Sequence, residues 1–336
     1  MEDQASRKGP YHTSPCWERY SARTSNAIRY DGLRDFRMNN RVGKGYAESI
    51  AINPFETLPY NCAKSKVYRK ITRLPFFRKF FVDPYVRHTE WHFNQTQLYK
   101  GLYYSRLLGD WFARFSQKYS LPDTLAGSPR DAVSINGRKI GYSYLTSFLR
   151  VQNYSKKVDF EKVESVFEIG GGFGAFCHTL LHLFPNIKKY LYLDIPPILY
   201  VGTQYLKHFY GDEAIDYRST RSSDSISFSP DKKREIIAIC PWQIDKVRAE
   251  IDLFWNSASF QEMTKEAVIN YMRKVNVMLR PESKVCLYVY KKGKPPKTLI
   301  PAELIELIER DVPVAFEEIE PEIKINESHY FLGRKK

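Results

Sequence analysis

The chain has 336 residues, of which 43% are hydrophobic and 15% aromatic, and its formal net charge is +14. This composition supports a sizeable core and excludes a chain that is disordered throughout. No apolar run approaches the roughly 18 residues that a transmembrane helix needs, and the first residues lack the apolar stretch of a secretory signal, so we expect a cytoplasmic protein. Five cysteines are scattered singly, which argues against a disulfide framework and a zinc site.

The positive charge is confined to the N-terminal half. Residues 1–160 contain 27 Lys and Arg against 13 Asp and Glu, a difference of +14, whereas residues 161–336 contain 25 of each. A lopsided basic region typically meets an anionic small molecule, a nucleic acid or a membrane surface. A solvated surface that keeps the protein soluble would produce the same excess.

The N-terminal half, residues 1–160, is predicted to be mainly helical and rich in aromatic residues. Residues 1–60 show no sustained period. Lys64–Phe81 interleaves basic and aromatic residues, which favours a helix whose Phe side chains pack inward, although peripheral contact with a membrane stays open. Apolar residues recur at helical spacing over residues 88–117. Asn136 and Gly137 then predict the turn of a β-hairpin, and a helix or an extended link follows it.

The second half, residues 161–336, alternates between strands and helices. Apolar runs beginning at Val163 predict a strand, a helix, a second strand and then a helix opened by Pro196 and Pro197. Further strands and helices follow, and a closing pair of strands ends the chain. This alternation predicts an α/β fold with a mostly parallel, Rossmann-like sheet that has helices on both faces.

A glycine-rich loop is the sharpest motif of the chain. It follows the first predicted strand and begins a helix, and its residues are Glu168, Ile169, Gly170, Gly171, Gly172, Phe173 and Gly174. Glycines at such a turn allow the backbone to approach a ligand closely. The next strand ends at Asp194 and Ile195, where a carboxylate can accept hydrogen bonds from ribose hydroxyls.

Two kinds of cofactor compete for this loop. Gly170, Gly172 and Ala175 also satisfy the G-x-G-x-x-A pattern of dinucleotide-binding enzymes, so an NAD-dependent oxidoreductase is an alternative. Glu168 favours S-adenosylmethionine instead, because a carboxylate would repel a pyrophosphate but attract the amino group of a methionine moiety.

The loop after the fourth predicted strand of this half is also polar. In doubly wound sheets the carboxyl ends of the strands form the ligand crevice. We therefore expect Asn256, Ser259, Gln261 and Glu262 to face the cofactor and the acceptor. Glu262 could equally stabilise the start of the next helix. Trp242, which follows the third strand, could stack on an adenine ring or pack against the sheet.

Three segments together resemble a family of sugar O-methyltransferases. They are VFEIGGGFGAFCHTLL, YLYLDIPPILY and DLFWNSASFQEM, and the resemblance extends from Val163 to about Tyr290. It implies the class I methyltransferase fold with a seven-stranded, mostly parallel sheet, S-adenosylmethionine as cofactor and a sugar or a phosphorylated or nucleotide-linked glycan as acceptor. The segment NSASFQEM stands where nucleic-acid methyltransferases usually carry an N-P-P-Y-like loop, which argues against a nucleic acid.

A sugar hydroxyl is a poor nucleophile, so a general base is expected. Glu262 is the first candidate and His92 the second, with His329 a weaker third. His88 and His92 lie one helical turn apart, but without a third ligand their spacing does not predict a metal site. The basic N-terminal half would then bind an anionic acceptor.

Overall fold

The computed structural model describes residues 21, 24–25, 28–29, 32–37, 74–77, 79–80, 83–129, 131–291, 299–323 and 327–336. The side chain of residue 77 is not described. Within residues 83–100 only the side chains at positions 95, 98 and 99 are described. The chain divides into two compact units, one formed by residues 30–145 and the other by residues 1–29 together with 146–336. The boundary at residue 145 falls within a helix, and the predicted functional division at residue 160 stays a prediction.

The unit of residues 30–145 is built on a long helix and a hairpin. The helices are α1 (Pro75–Phe77) and α2 (Asp83–Lys118), and the antiparallel strands are β1 (Val133–Ile135) and β2 (Arg138–Ile140). Both the helix over residues 88–117 and the Asn-Gly hairpin are thereby confirmed. Helix α2 buries Leu108, Trp111 and Phe112.

The basic and aromatic segment Lys64–Phe81 lies largely outside the described residues. Of its described side chains, Phe76 is 70% exposed and Phe80 is 56% exposed. The prediction that the Phe side chains of this segment pack inward is therefore wrong at these two positions.

The other unit contains an eight-stranded sheet. Its strands are β3 (Ser165–Ile169), β4 (Lys189–Leu193), β5 (Ala214–Ile215), β6 (Glu235–Ile239), β7 (Ile251–Ser257), β8 (Leu279–Tyr290), β9 (Val314–Glu318) and β10 (Ser328–Lys335). They lie in the order β5-β6-β4-β3-β7-β8-β10-β9; the two pairs that β10 makes, with β8 and with β9, are antiparallel, and the other pairs are parallel. The predicted class I fold is confirmed, with the two-residue β5 as an additional edge strand beyond the seven expected.

The helices of this unit connect the strands. They are α3 (Tyr142–Tyr154), which begins in the preceding unit, α4 (Ala175–Leu183), α5 (Pro196–Tyr210), α6 (Tyr217–Thr220), α7 (Lys265–Met278) and α8 (Pro301–Asp311). Strands β3 and β6 are buried along their whole length, as expected for parallel strands covered on both faces.

Two hydrophobic layers hold the sheet. One is a cluster that includes Phe167, Phe254 and Phe260 from the sheet side together with Met272 and Ile308 from α7 and α8. The opposite face is aromatic, and its strand residue Trp255 stacks on Phe176 of α4 at 3.9 Å between ring centroids. The three cysteines in the described part of the chain, Cys177, Cys240 and Cys286, are free and buried. No helix among the described residues is long and apolar enough to cross a bilayer.

Candidate functional site

The glycine loop lies at the carboxyl end of β3, in the middle of the sheet. Ile169, the last residue of β3, is in register with Leu193 of β4 on one side and with Asn256 of β7 on the other. The φ angles of Gly170, Gly172 and Gly174 are 79°, 61° and 90°. Because this left-handed conformation is unfavourable for residues with a Cβ atom, the alternating glycines are required by the turn itself.

Gly171 has a different reason to be glycine. A Cβ atom at this position would clash with the ring of Tyr192 and would lie 3.0 Å from Oε2 of Glu168. The loop therefore packs directly on two strand side chains, and the hydroxyl of Tyr192 donates a hydrogen bond to the carbonyl of Gly172. Side chains of the neighbouring strand β4 and of β3 therefore help to hold the glycines of the loop in place.

Glu168 lies at the base of the loop and is 2% exposed. Its Oε2 atom accepts a hydrogen bond of 2.8 Å from the hydroxyl of Tyr190. Burial raises the pKa of Glu168 to about 8, against the lowering effect of that hydrogen bond, and the nearby Asp194 adds to the rise while Arg150 opposes it. A buried carboxylate of this kind is stabilised by a cation that arrives with a ligand.

Asp194 follows β4 and faces the same loop. Its carboxylate accepts hydrogen bonds from the backbone N–H groups of Gly172 at 2.8 Å and of Ile195 at 2.7 Å. Burial raises the pKa of Asp194 to about 7, although these two hydrogen bonds lower it, and Glu262 contributes a smaller rise. The predicted acid at the strand end is thus next to the glycine loop, while its contact with a ribose stays a prediction.

The amides of Asn256 and Gln261, which were expected to face the cofactor, are used by the protein itself, and their contact with a cofactor stays a prediction. Both side chains are 2% exposed. Asn256 donates to the carbonyl of Ile169 at 2.9 Å and to the hydroxyl of Ser259 at 2.6 Å. Gln261 donates to the carbonyls of Tyr290 and Leu299 and accepts from the N–H group of Tyr290.

The side chain of Ser259 supports the start of the glycine loop. Its hydroxyl donates to the carbonyl of Ile169 at 3.1 Å, and a Cβ atom on Gly170 would clash with this side chain. Asn256 and Ser259 therefore form a clasp that fixes the start of the glycine loop to β7. Their role in the described structure is to position the loop.

Glu262, the first candidate for the general base, has an exposed side chain. It ends the 3-10 helix Ser259–Glu262 after β7, and its charge is close enough to Asp194 to raise the pKa of that carboxyl. The side chain of His92 lies outside the described residues. His329 contacts Glu318 at 2.7 Å between Nδ1 and Oε1, so the described structure shows its ring in contact with a carboxylate on the neighbouring strand.

Trp242 lines a cavity of about 280 Å³ next to the ends of β4 and β6. The ring of Tyr217 lies perpendicular to that of Trp242 at 5.9 Å between centroids, and Pro196 and Cys240 complete an apolar part of the lining. Sequence reasoning missed Tyr217, because the four-residue helix α6 is too short to show a period. A partly apolar cavity with an indole and a phenol ring in its lining suits an aromatic base.

A larger cavity of about 490 Å³ lies along β5, between Lys207 and Ser227. None of the glycine-loop residues line it. The smaller cavity is not lined by them either, but its lining includes Pro196, two residues after Asp194, and Cys240, directly after β6. We therefore assign the candidate site to the loop and the smaller cavity.

These features fit the three chemical parts of S-adenosylmethionine. Glu168 is a buried carboxylate for an ammonium group, Asp194 a carboxylate beside the loop for ribose hydroxyls, and the Trp242 cavity a place for adenine. The described residues contain no cluster of three or more His, Cys, Asp or Glu that could hold a metal ion.

Residues 144–222 match the family model of the O-methyltransferase domain. The matched range includes the glycine loop and Asp194, and it confirms the prediction of a methyltransferase domain with S-adenosylmethionine as its cofactor. No curated protein matches the chain.

Several solved structures are similar to the chain at low identity. They include mitomycin 7-O-methyltransferase MmcR, with 14% identity over 58% of this chain and 55% of that one and a TM-score of 0.42. Human N-acetylserotonin methyltransferase in complex with SAM has 12% identity over 57% and 53%, with a TM-score of 0.40. The pyocyanin biosynthetic protein PhzM has 14% identity over 58% and 61%, with a TM-score of 0.40. The similarity spans little more than half the length of these proteins.

Proposed function

We propose that the chain transfers a methyl group from S-adenosylmethionine to a hydroxyl oxygen of a sugar or of a phosphorylated or nucleotide-linked glycan. The observation that carries the proposal is the buried Glu168 beneath the glycine loop, with Asp194 on the neighbouring strand. A buried carboxylate opposes a pyrophosphate and suits an ammonium group, which favours this cofactor over a nicotinamide dinucleotide.

The residues of the chain mainly hold and orient the two reactants. When bound, S-adenosylmethionine supplies an electrophilic methyl group on a positively charged sulfur. Glu168 holds the ammonium group, and Asp194 accepts hydrogen bonds from the ribose. The acceptor oxygen forms a bond to the methyl carbon while the bond between that carbon and sulfur breaks, and its electron pair stays on sulfur.

Glu262 takes the proton of the acceptor hydroxyl in this proposal. It is exposed after the carboxyl end of β7, and its charge contributes to the raised pKa of Asp194, which supports this role. A carboxylate that faces solvent can pass the proton on to water. His92 stays the second candidate for this role.

Two features support a sugar or an anionic glycan as acceptor. The resemblance of residues 163–290 to sugar O-methyltransferases concerns the strands and loops that build the site. The excess of 14 positive charges lies in residues 1–160, where it would attract a phosphorylated acceptor.

The test is methyl transfer from isotopically labelled S-adenosylmethionine to a panel of neutral sugars, sugar phosphates, nucleotide sugars and a nucleic acid. We expect label in an O-methyl ether of a sugar-containing acceptor, with turnover lowered at least about tenfold in Glu262→Gln. Glu266→Gln is the matched control, because Glu266 is an exposed acid in the first turn of α7. Label in the nucleic acid alone would contradict the proposed acceptor.

A further inference from the structure

Arg150 is an arginine buried beside the candidate cofactor site. It lies in helix α3 and is 9% exposed, and its guanidinium carbon is 4.3 Å from the ring centroid of Tyr288 on β8. A guanidinium on an aromatic face gains a cation–π interaction. Its N–H groups can also donate charge-assisted hydrogen bonds to an anion that approaches the guanidinium.

The register of the sheet places Arg150 level with the start of the glycine loop. Ile169 pairs with Asn256, and the next residue of β7, Ser257, pairs with Tyr288. Tyr288 is therefore in the same row as Gly170, one residue beyond the end of β3. The Arg150 guanidinium, which packs on the Tyr288 ring, therefore lies level with Gly170.

Arg150 and Glu168 also share one face of the sheet. Glu168 pairs with Trp255, and Trp255 packs edge-on against Tyr154 of α3 at 4.9 Å between centroids. Arg150 precedes Tyr154 by four residues, so it lies one helical turn nearer the carboxyl edge on the same side of α3. The pKa of Glu168 is lowered by the Arg150 charge, which shows that the two groups are close.

We propose that Arg150 binds the carboxylate of the methionine moiety of the cofactor, while Glu168 binds its ammonium group. The inference rests on the proposed cofactor. The methionine end is a zwitterion, whose two charged groups are attached to one carbon atom, so its binding groups must be neighbours of opposite charge. Arg150 and Glu168 are such a pair beside the glycine loop. An arginine can also offer two parallel N–H donors to a carboxylate.

The test uses three ligands in calorimetric titrations of the full chain. S-adenosylmethionine carries both charged groups, its decarboxylated analogue carries only the ammonium group, and 5′-methylthioadenosine carries neither. We expect Arg150→Gln to weaken binding of S-adenosylmethionine at least about tenfold and to leave the affinity for the other two ligands within a factor of two. Arg150→Lys, which keeps the charge, should recover part of the loss.

Arg234→Gln is the matched control. Arg234 also lies over a tyrosine ring, at 5.5 Å from the centroid of Tyr210, but it precedes the amino end of β6, the strand end opposite the loop. We expect this variant to bind all three ligands as the wild type does. Circular dichroism of each variant shows whether it is folded.

Each outcome bears on the assignment. Equal weakening of all three ligands by Arg150→Gln would mean that Arg150 only supports the fold. If Arg150→Gln weakened the binding of S-adenosylmethionine and of its decarboxylated analogue equally, but not that of 5′-methylthioadenosine, Arg150 would act only through Glu168. Unchanged affinity for S-adenosylmethionine would overturn the inference directly. If the wild type bound none of the ligands, the proposed function itself would fail, which is a distinguishable result.

Discussion

Cofactor binding should depend on pH through Glu168. In the protein without ligand, burial raises the pKa of this carboxyl to about 8, so it is largely protonated at neutral pH. Only the ionised form attracts an ammonium group, and binding must therefore release a proton. Affinity should rise with pH up to about 8 and then level off.

The magnitude follows from the fraction of Glu168 that is ionised. For a pKa near 8 this fraction is about 1% at pH 6, about 9% at pH 7 and about one half at pH 8. The association constant for S-adenosylhomocysteine should accordingly increase about fiftyfold from pH 6 to pH 8, with release of roughly 0.9 proton per ligand at pH 7. Any contribution from Asp194, whose pKa burial raises to about 7, adds to this slope.

Calorimetric titrations in two buffers with different ionisation enthalpies measure both the affinity and the proton release. Glu168→Gln should bind more weakly and lose most of the pH dependence. Tyr190→Phe removes the hydrogen bond that lowers the pKa of Glu168, so it should move the midpoint to higher pH. A wild-type affinity that is constant from pH 6 to pH 8, or an unchanged slope in Glu168→Gln, would refute this reasoning.

Three further predictions concern the loop and its supports. Gly171→Ala places a Cβ atom against Tyr192 and Glu168, so it should abolish detectable binding of S-adenosylhomocysteine in a folded protein; wild-type binding would show that the loop adapts. Asn256→Ala removes three hydrogen bonds and should lower the free energy of unfolding by about 2 kcal/mol in urea titrations, whereas no loss would mean that the clasp is dispensable. Because the folded-state pKa of Glu168 is raised above its ordinary value, this group should cost the ligand-free protein up to roughly 4 kcal/mol of stability as pH rises from about 5 to 8. Asp194, whose pKa burial raises to about 7, adds its own loss, so thermal melting should show a smaller loss in Glu168→Gln than in the wild type; equal losses would contradict the prediction.

The alternating half of the chain was predictable because its pattern has a direct physical cause. Strands β3 and β6 are buried on both faces, so most of their residues are apolar, and the glycines mark backbone conformations that other residues avoid. Glu168 was singled out because it stands directly ahead of the glycine loop, and Asp194 because it ends the next predicted strand. The structure has both carboxylates beside the loop, while their contacts with a cofactor stay predictions.

The roles of Asn256 and Gln261 were not predictable from the sequence. Polar residues at the end of a strand can face a ligand or satisfy the backbone of neighbouring segments. The register of β3, β7 and β8 decides between these roles, and it brings both amides within hydrogen-bonding distance of main-chain atoms. The cavity beside Trp242 was also only partly predicted, because Tyr217 belongs to a helix of four residues.

The central claim is that the loop around Gly170–Gly174 binds S-adenosylmethionine. The most direct measurement is a calorimetric titration of the full chain with S-adenosylhomocysteine, with NADH as the comparison ligand. We expect micromolar affinity for S-adenosylhomocysteine and no binding of NADH. Binding of NADH without binding of S-adenosylhomocysteine would contradict the role assigned to Glu168 and would replace the methyltransferase with an oxidoreductase.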